Sequence, residues 1–96
     1  MINDDSFVRI NKDMTHSDLE GETVILDLKS GVYYGLNETG TSIWNLIQRP
    51  QSVQEIISAI LLKYNIEPQL CEQEVKNLLQ ELANNGLIVI QNEATV

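Results

Sequence analysis

The sequence predicts an α+β domain, with a small antiparallel three-stranded sheet in its first third, three helices after it, and a possible short strand at the end. Three observations carry this. Apolar residues alternate with period two in the segments before Asn37, with a glycine turn between the two strongest. After Asn37 they recur at helical spacing in three segments set off by Pro50 and Pro68. And 96 residues, 43% of them apolar, make one domain around one core, since a chain of this size buries about two-thirds of its extended surface on folding.

Phe7–Ile10 is a short alternating run, and Met14–His16 reads either as a second strand or as the first continued past Asn11-Lys12-Asp13. Thr23–Leu28 is the best strand, with Val24, Leu26 and Leu28 on one face and Ile25 and Asp27 on the other. Lys29-Ser30-Gly31 supplies a tight turn, and Val32–Leu36 returns with Val32, Tyr34 and Leu36 on one face and Tyr33 on the other. Asn37 or Thr39 caps a helix carrying Ile43, Trp44, Leu46 and Ile47, which Pro50 stops. Ser52 and Glu55 form a capping box before Ile56, Ile57, Ile60, Leu61 and Tyr64. Pro68 suits the first turn of a third helix whose stripe is Cys71, Val75, Leu78, Leu79 and Leu82. Gly86 supplies its C-cap, Leu87–Ile90 is a last strand, and the chain from Gln91 is expected to fray. The ordered core is expected over residues 7–90.

Three helices after a small sheet suit a winged helix-turn-helix arrangement, a topology often used to read DNA. The charges oppose that use. Six basic and fourteen acidic residues give a net charge of −8, and the exposed face of the third helix sets Lys76 among Glu72, Glu74 and Glu81. Phosphates repel such a face, so neither nucleic acid nor an anionic membrane is the expected partner, whereas a basic peptide is attracted. The single thiol, Cys71, falls in phase with an apolar stripe and reads as a buried hydrophobe; the single imidazole, His16, reads as exposed. Neither composes a nucleophile–base pair, and one cysteine with one histidine leaves little for a metal. The Asn37–Thr41 segment lacks the lysine and glycine spacing of a phosphate loop. The expectation is therefore a protein with no catalytic residues, cofactor or metal. No apolar segment follows the acidic first residues or approaches the length of a membrane span, so a small cytoplasmic protein is expected.

The Val32–Leu36 strand invites a sharper reading. Its far side is open unless the Leu87–Ile90 run fills it, and an open edge is a template for another strand. Tyr33-Tyr34-Gly35 carries neither the charges nor the proline that usually guard such an edge. Two readings follow from the residues alone: a receptor that takes a peptide by strand addition, or a structural domain, including one that dimerises through this edge.

The stretch Leu26-Asp27-Leu28-Lys29-Ser30-Gly31-Val32-Tyr33-Tyr34-Gly35-Leu36-Asn37, followed by a helix bearing Ile43-Trp44, resembles the PqqD-like family. Val53–Tyr64 resembles the second helix of that family, and Glu74–Leu82 with Asn85-Gly86-Leu87-Ile88 its third helix and exit. The resemblance runs from about Phe7 to Ile90. It implies a recognition element for ribosomally made, post-translationally modified peptides. Such an element binds the precursor's leader as an added strand in a groove closed by the third helix. Carried onto this chain, the peptide-binding residues are Val32, Tyr33, Tyr34, Gly35 and Leu36 on the strand, with Glu72, Val75, Lys76 and Leu79 on the helix. Val75 and Leu79 suit either the groove or the core. The implied partners are a precursor leader peptide and a separate leader protease or other maturation enzyme. The aromatic strand and acidic charge are most similar to the stand-alone lasso-peptide type. The alternative is a chaperone for a radical-SAM enzyme in pyrroloquinoline-quinone assembly.

Overall fold

A computed structural model describes residues 2–91. In chain order they form β1 (Phe7–Ile10), β2 (Met14–Leu19), β3 (Glu22–Asp27), β4 (Tyr33–Leu36), α1 (Glu38–Leu46), β5 (Gln51–Ser52), α2 (Val53–Lys63), α3 (Pro68–Asn84) and β6 (Ile88–Gln91). The strands make two antiparallel three-stranded sheets, ordered β5-β1-β6 and β2-β3-β4. The expected α+β architecture is present, but Phe7–Ile10 belongs to the other sheet, and the strand that completes the expected one is Met14–Leu19. Asn11 makes the separation. Its backbone N–H donates to the Leu87 carbonyl and its side-chain amide to the Gly86 carbonyl, each at 3.0 Å. Asp13 then takes a left-handed φ of 65° and turns the chain into the second sheet. Gln91, expected in the tail, pairs with Phe7 at the end of β6; the tail beyond it lies outside the described residues.

The β2-β3-β4 meander owes its geometry to its turns. Glu20 and Gly21 both have positive φ, 52° and 84°. They link Leu19 to its partner Glu22 in a two-residue turn whose twist matches the flanking strands. Between β3 and β4 the turn closes on Asp27. The Asp27 carbonyl accepts from the Gly31 N–H at 2.7 Å, and its carboxylate accepts from the backbone N–H groups of Lys29 at 2.9 Å and Ser30 at 3.3 Å. Gly31 has φ 75°, which a side chain would oppose. The hydrogen bond from Lys29 holds the Asp27 carboxyl below its usual value, against a smaller opposing effect of desolvation.

The face of β3 that meets the helices carries Thr23 and Ile25, both fully buried; Val24 and Leu26 lie half-buried on the reverse face. Thr23 is accommodated because its hydroxyl donates to Asp18 across the ladder at 3.0 Å. Over this face packs α1, started by the Asn37 side chain accepting from the Gly40 N–H at 2.9 Å. The Ser52–Glu55 capping box forms as expected. Pro68 opens α3, which ends with the Gly86 N–H on the Ala83 carbonyl and the Leu87 N–H on the Leu82 carbonyl, a Schellman closure. Ile25 and Leu36 from one sheet, Val8 and Ile88 from the other, and Ile43, Trp44, Ile56, Ile60, Val75 and Leu79 from the helices share one core. Trp44 is 1% exposed at its centre. His16 is exposed, as expected, and also sets its ring edgewise to Trp44 with centroids 6.2 Å apart.

Trp44→Ala is expected to cost about 3–5 kcal/mol of stability through the cavity it leaves, read from urea denaturation. Asp27 generates a pH prediction. Because its folded-state pKa lies below the unfolded value, its contribution is present above the ordinary carboxyl range and is lost as pH falls through the depressed folded value. The Lys29 and Ser30 amide resonances should therefore titrate together below pH 3.8, and Asp27→Asn should abolish that step.

Candidate functional site

Among the described residues strand β4 has one neighbour. It pairs with β3 in the register Thr23–Leu36, Val24–Gly35, Ile25–Tyr34 and Leu26–Tyr33, while β6, the strand able to cover its other side, pairs with β1. Alternation fixes which groups are left over. The Asp27 N–H donates to the Val32 carbonyl at 3.0 Å, so Asp27 and Val32 form a hydrogen-bonded pair. Antiparallel pairing then makes Ile25–Tyr34 and Thr23–Leu36 hydrogen-bonded pairs and turns the N–H and C=O groups of Tyr33 and Gly35 away from β3. The outer rim of β4 thus offers two donors and two acceptors, and no strand takes them among the described residues.

The side chains divide by the same parity. Tyr34 and Leu36 point toward the helices, Leu36 buried and Tyr34 half-buried. Tyr33 stands on the opposite face at 67% exposure, beside half-buried Leu26.

Two features tie α3 to this rim. At one end the Tyr34 hydroxyl donates to the Asn85 side-chain carbonyl at 3.3 Å. At the other a cavity of about 190 Å³ opens between Asn37 and Gly40 at the start of α1 and Cys71, Glu74 and Leu78 on α3, floored by Ile43 and Val75. Asn85 reaches the Tyr34 hydroxyl while Glu74 and Leu78 line the cavity with Asn37, the residue that follows β4, so α3 runs opposite to the direction of the strand. Glu74, Leu78, Glu81 and Asn85, spaced i, i+4, i+7 and i+11, share one flank of the helix, the one that carries the cavity lining and the contact to Tyr34. The cavity between α1 and α3 thus has an apolar floor and carries the Glu74 carboxylate on its wall.

The expected helix residues divide between the two flanks of α3 and its buried stripe. Glu72 and Lys76 lie on the opposite flank of α3, where the Lys76 ammonium pairs with Asp4 at 2.9 Å and Glu72 at 3.0 Å. The hydrogen bond to Asp4 raises the Lys76 pKa, with Glu72 adding to it. These two residues tie α3 to the N-terminal segment and line a second, open depression on that flank with Gln69, Gln73 and Asn77. Val75 and Leu79 are buried; Val75 lines the cavity floor and Leu79 belongs to the core. The cavity and the Tyr34 contact bring forward Glu74, Leu78 and Asn85, which the sequence reading did not name as site residues. The signal that points to them is helical phase: they fall on the flank of the Val75 stripe opposite Lys76.

Cys71 touches the cavity but is 1% exposed, and burial, with the Glu74 charge adding to it, pushes its thiol pKa up. A thiol so placed is not activated for attack. Among the described residues no group of three or more His, Cys, Asp or Glu is placed to hold a metal ion, and no helix is long and apolar enough to cross a membrane.

Comparison with known proteins follows this geometry. Among solved structures, TbiB1 in complex with the TbiA(beta) leader peptide is 28% identical, with a TM-score of 0.78 over 92% of this chain and 98% of that one. A lasso peptide synthetase B1 complexed with its leader peptide is 23% identical, with a TM-score of 0.76 over 85% of this chain and 96% of that one, a likeness of fold. No curated protein sequence matches. The profile of the family described as coenzyme PQQ synthesis protein D matches residues 22–88, from β3 through all three helices to the start of β6, and the chain belongs to this PqqD family.

Proposed function

We propose that the protein is a non-catalytic adaptor in lasso-peptide biosynthesis. It takes the leader of a ribosomally made precursor as a fourth strand on β4 and presents the precursor to a separate leader protease or other maturation enzyme. The observation that carries this reading is the rim of Tyr33 and Gly35 on the edge strand β4, which no strand takes among the described residues. The likeness to TbiB1, which is bound to a leader peptide, supports it along nearly the whole chain.

The physics of the groove assigns the parts. Four main-chain hydrogen bonds at the rim supply about 2–6 kcal/mol net in total, and ordering a flexible leader costs about 2–5 kcal/mol. The backbone therefore sets register and little more; apolar side chains entering the cavity between α1 and α3 supply the net affinity, each worth about 1.5–3 kcal/mol when fully buried. Glu74 and Glu81 on the groove wall and the net charge of −8 favour a leader that carries lysine or arginine, with encounter slowed by salt. A bound leader holds the precursor's core at roughly millimolar effective concentration beside a partner enzyme. That is what a protein without bond chemistry of its own contributes to turnover, in the cytoplasm where the precursor is made.

Proline substitutions along β4 test strand addition. Tyr33→Pro removes an outward N–H and leaves the ladder to β3 whole, so the protein should fold normally and bind a synthetic leader at least about tenfold more weakly than Tyr33→Ala does. Tyr34→Pro removes the donor to the Ile25 carbonyl and should cost about 1–3 kcal/mol of stability. Isothermal titration of folded Tyr33→Pro giving the affinity of Tyr33→Ala would refute strand addition.

A further inference from the structure

Strand β3 is more apolar on its solvent side than on its core side. Toward the helices it carries Thr23, Ile25 and Asp27; away from them it carries Val24 and Leu26, and Leu28 continues that face where its N–H bonds to the Asp13 carbonyl just past the strand. An antiparallel sheet with one solvated face ordinarily alternates apolar inside with polar outside, and a strand apolar on both faces is usually covered on both. The neighbouring strands widen the apolar face. Tyr33 stands across from Leu26, and Leu19 closes β2 on the same side, across from Glu22. The remaining positions across from Val24 and Leu26 are Ser17, Thr15 and Gly35, which bring no charge. Leu19, Leu28 and Tyr33 are 60%, 59% and 67% exposed, so the described chain leaves this face uncovered. A contiguous exposed apolar patch of this kind marks an interaction surface.

Size and charge say what covers it. Three strands about 4.8 Å apart, the longest of six residues, present a face of about 14 by 20 Å. Doubled for side-chain relief this is about 600 Å², short of the roughly 800 Å² that each partner of a stable dimer buries. A second copy would also set one net charge of −8 against another. The occupant therefore needs further contact beyond the face. That contact is available at Tyr33, whose side chain lies on the face while its N–H and C=O lie on the free rim of β4. A peptide strand added to that rim extends the same face by one strand, and a partner seated on Leu26 and Leu28 reaches the peptide as well. At the Leu19 end the face is bordered by the carboxylates of Glu20 and Glu22, which favour a partner with basic side chains there.

We propose that the outward face of the β2-β3-β4 sheet docks the leader protease, through an apolar element of that enzyme that carries lysine or arginine where it meets Glu20 and Glu22. The inference rests on the adaptor reading and adds where the enzyme sits. The cavity between α1 and α3 lies on the inward side of the sheet; the enzyme takes the opposite side, with the bound leader at its border. Because it touches adaptor and peptide together, it binds the leader complex more tightly than the adaptor alone.

The test is cleavage of the full precursor by the purified leader protease, with the adaptor–precursor complex as the titrated substrate. Leu19→Ser combined with Leu28→Ser removes two exposed side chains, so this variant should melt close to wild type and bind a synthetic leader with unchanged affinity in isothermal titration. It should raise KM about tenfold, the order expected from losing two leucine contacts, and leave kcat unchanged. Glu20→Lys with Glu22→Lys should raise KM about threefold at low salt, an effect lost at about 0.5 M salt. Inactivated protease added to the wild-type leader complex should shift the Leu19 and Leu28 methyl resonances. A wild-type KM in the leucine variant, or methyls that stay in place, would overturn the docking surface alone. A wild-type dimer that the leucine variant converts to monomer in sedimentation would give the face to a second copy instead. A wild-type protein that binds no leader would remove the adaptor reading and the docking surface together.

Discussion

The hydrogen-bonding groups of a β-strand alternate between its two sides, and β4 has a neighbour on only one of them. Ile25 and Thr23 satisfy Tyr34 and Leu36; nothing in the described chain takes the N–H and C=O groups of Tyr33 and Gly35. That half-filled ladder is the constraint around which the rest is arranged. Exposed to water it is tolerable, because water satisfies it. On the proposed reading it takes a peptide because other requirements of strand addition are met near it: an apolar cavity between α1 and α3 and a strand already held in place.

The rigidity has identifiable sources. Asp27 pins the turn before β4 with its carbonyl and its carboxylate, and Asn37 ends the strand by starting α1. Leu36 and Ile25 anchor the inner face to the core around Trp44. On the far side, Asn11 holds the α3–β6 junction through both Gly86 and Leu87. It thereby commits the C-terminal strand to β1, where it cannot cover the β4 rim. Asp4 pairs with Lys76 on the flank of α3 away from the groove, so the N-terminal segment also stays clear of it. A strand prepared in this way spares an incoming peptide the cost of ordering both partners.

Local features of this fold were legible in the sequence because their causes are local. The Ser52–Glu55 capping box, the proline at the start of α3, its glycine exit and the alternation through Tyr33–Leu36 all appear where the pattern puts them, whereas Val32, expected on the face of Tyr34 and Leu36, lies exposed in the turn before β4. What was not legible depends on distant partners. Nothing near Phe7–Ile10 says that it pairs with Ile88–Gln91 rather than with the hairpin, and the two-residue strand β5 is too short to carry a pattern. Which flank of α3 lies nearer β4 was not legible for a similar reason. The apolar stripe through Val75 has two flanks, one with Glu72 and Lys76 and the other with Glu74 and Leu78, of similar polarity. Only the distant contacts, Asp4 with Lys76 and Tyr34 with Asn85, decide which flank meets β4.

Amide hydrogen exchange at β4, measured residue by residue with and without a saturating leader peptide, tests the central claim most directly. The Tyr34 amide is bonded to Ile25 and should be protected in both states, while the Tyr33 and Gly35 amides should exchange freely alone and become protected when the leader is bound. Protection appearing at another strand edge, with Tyr33 and Gly35 still exchanging freely in the saturated complex, would contradict it.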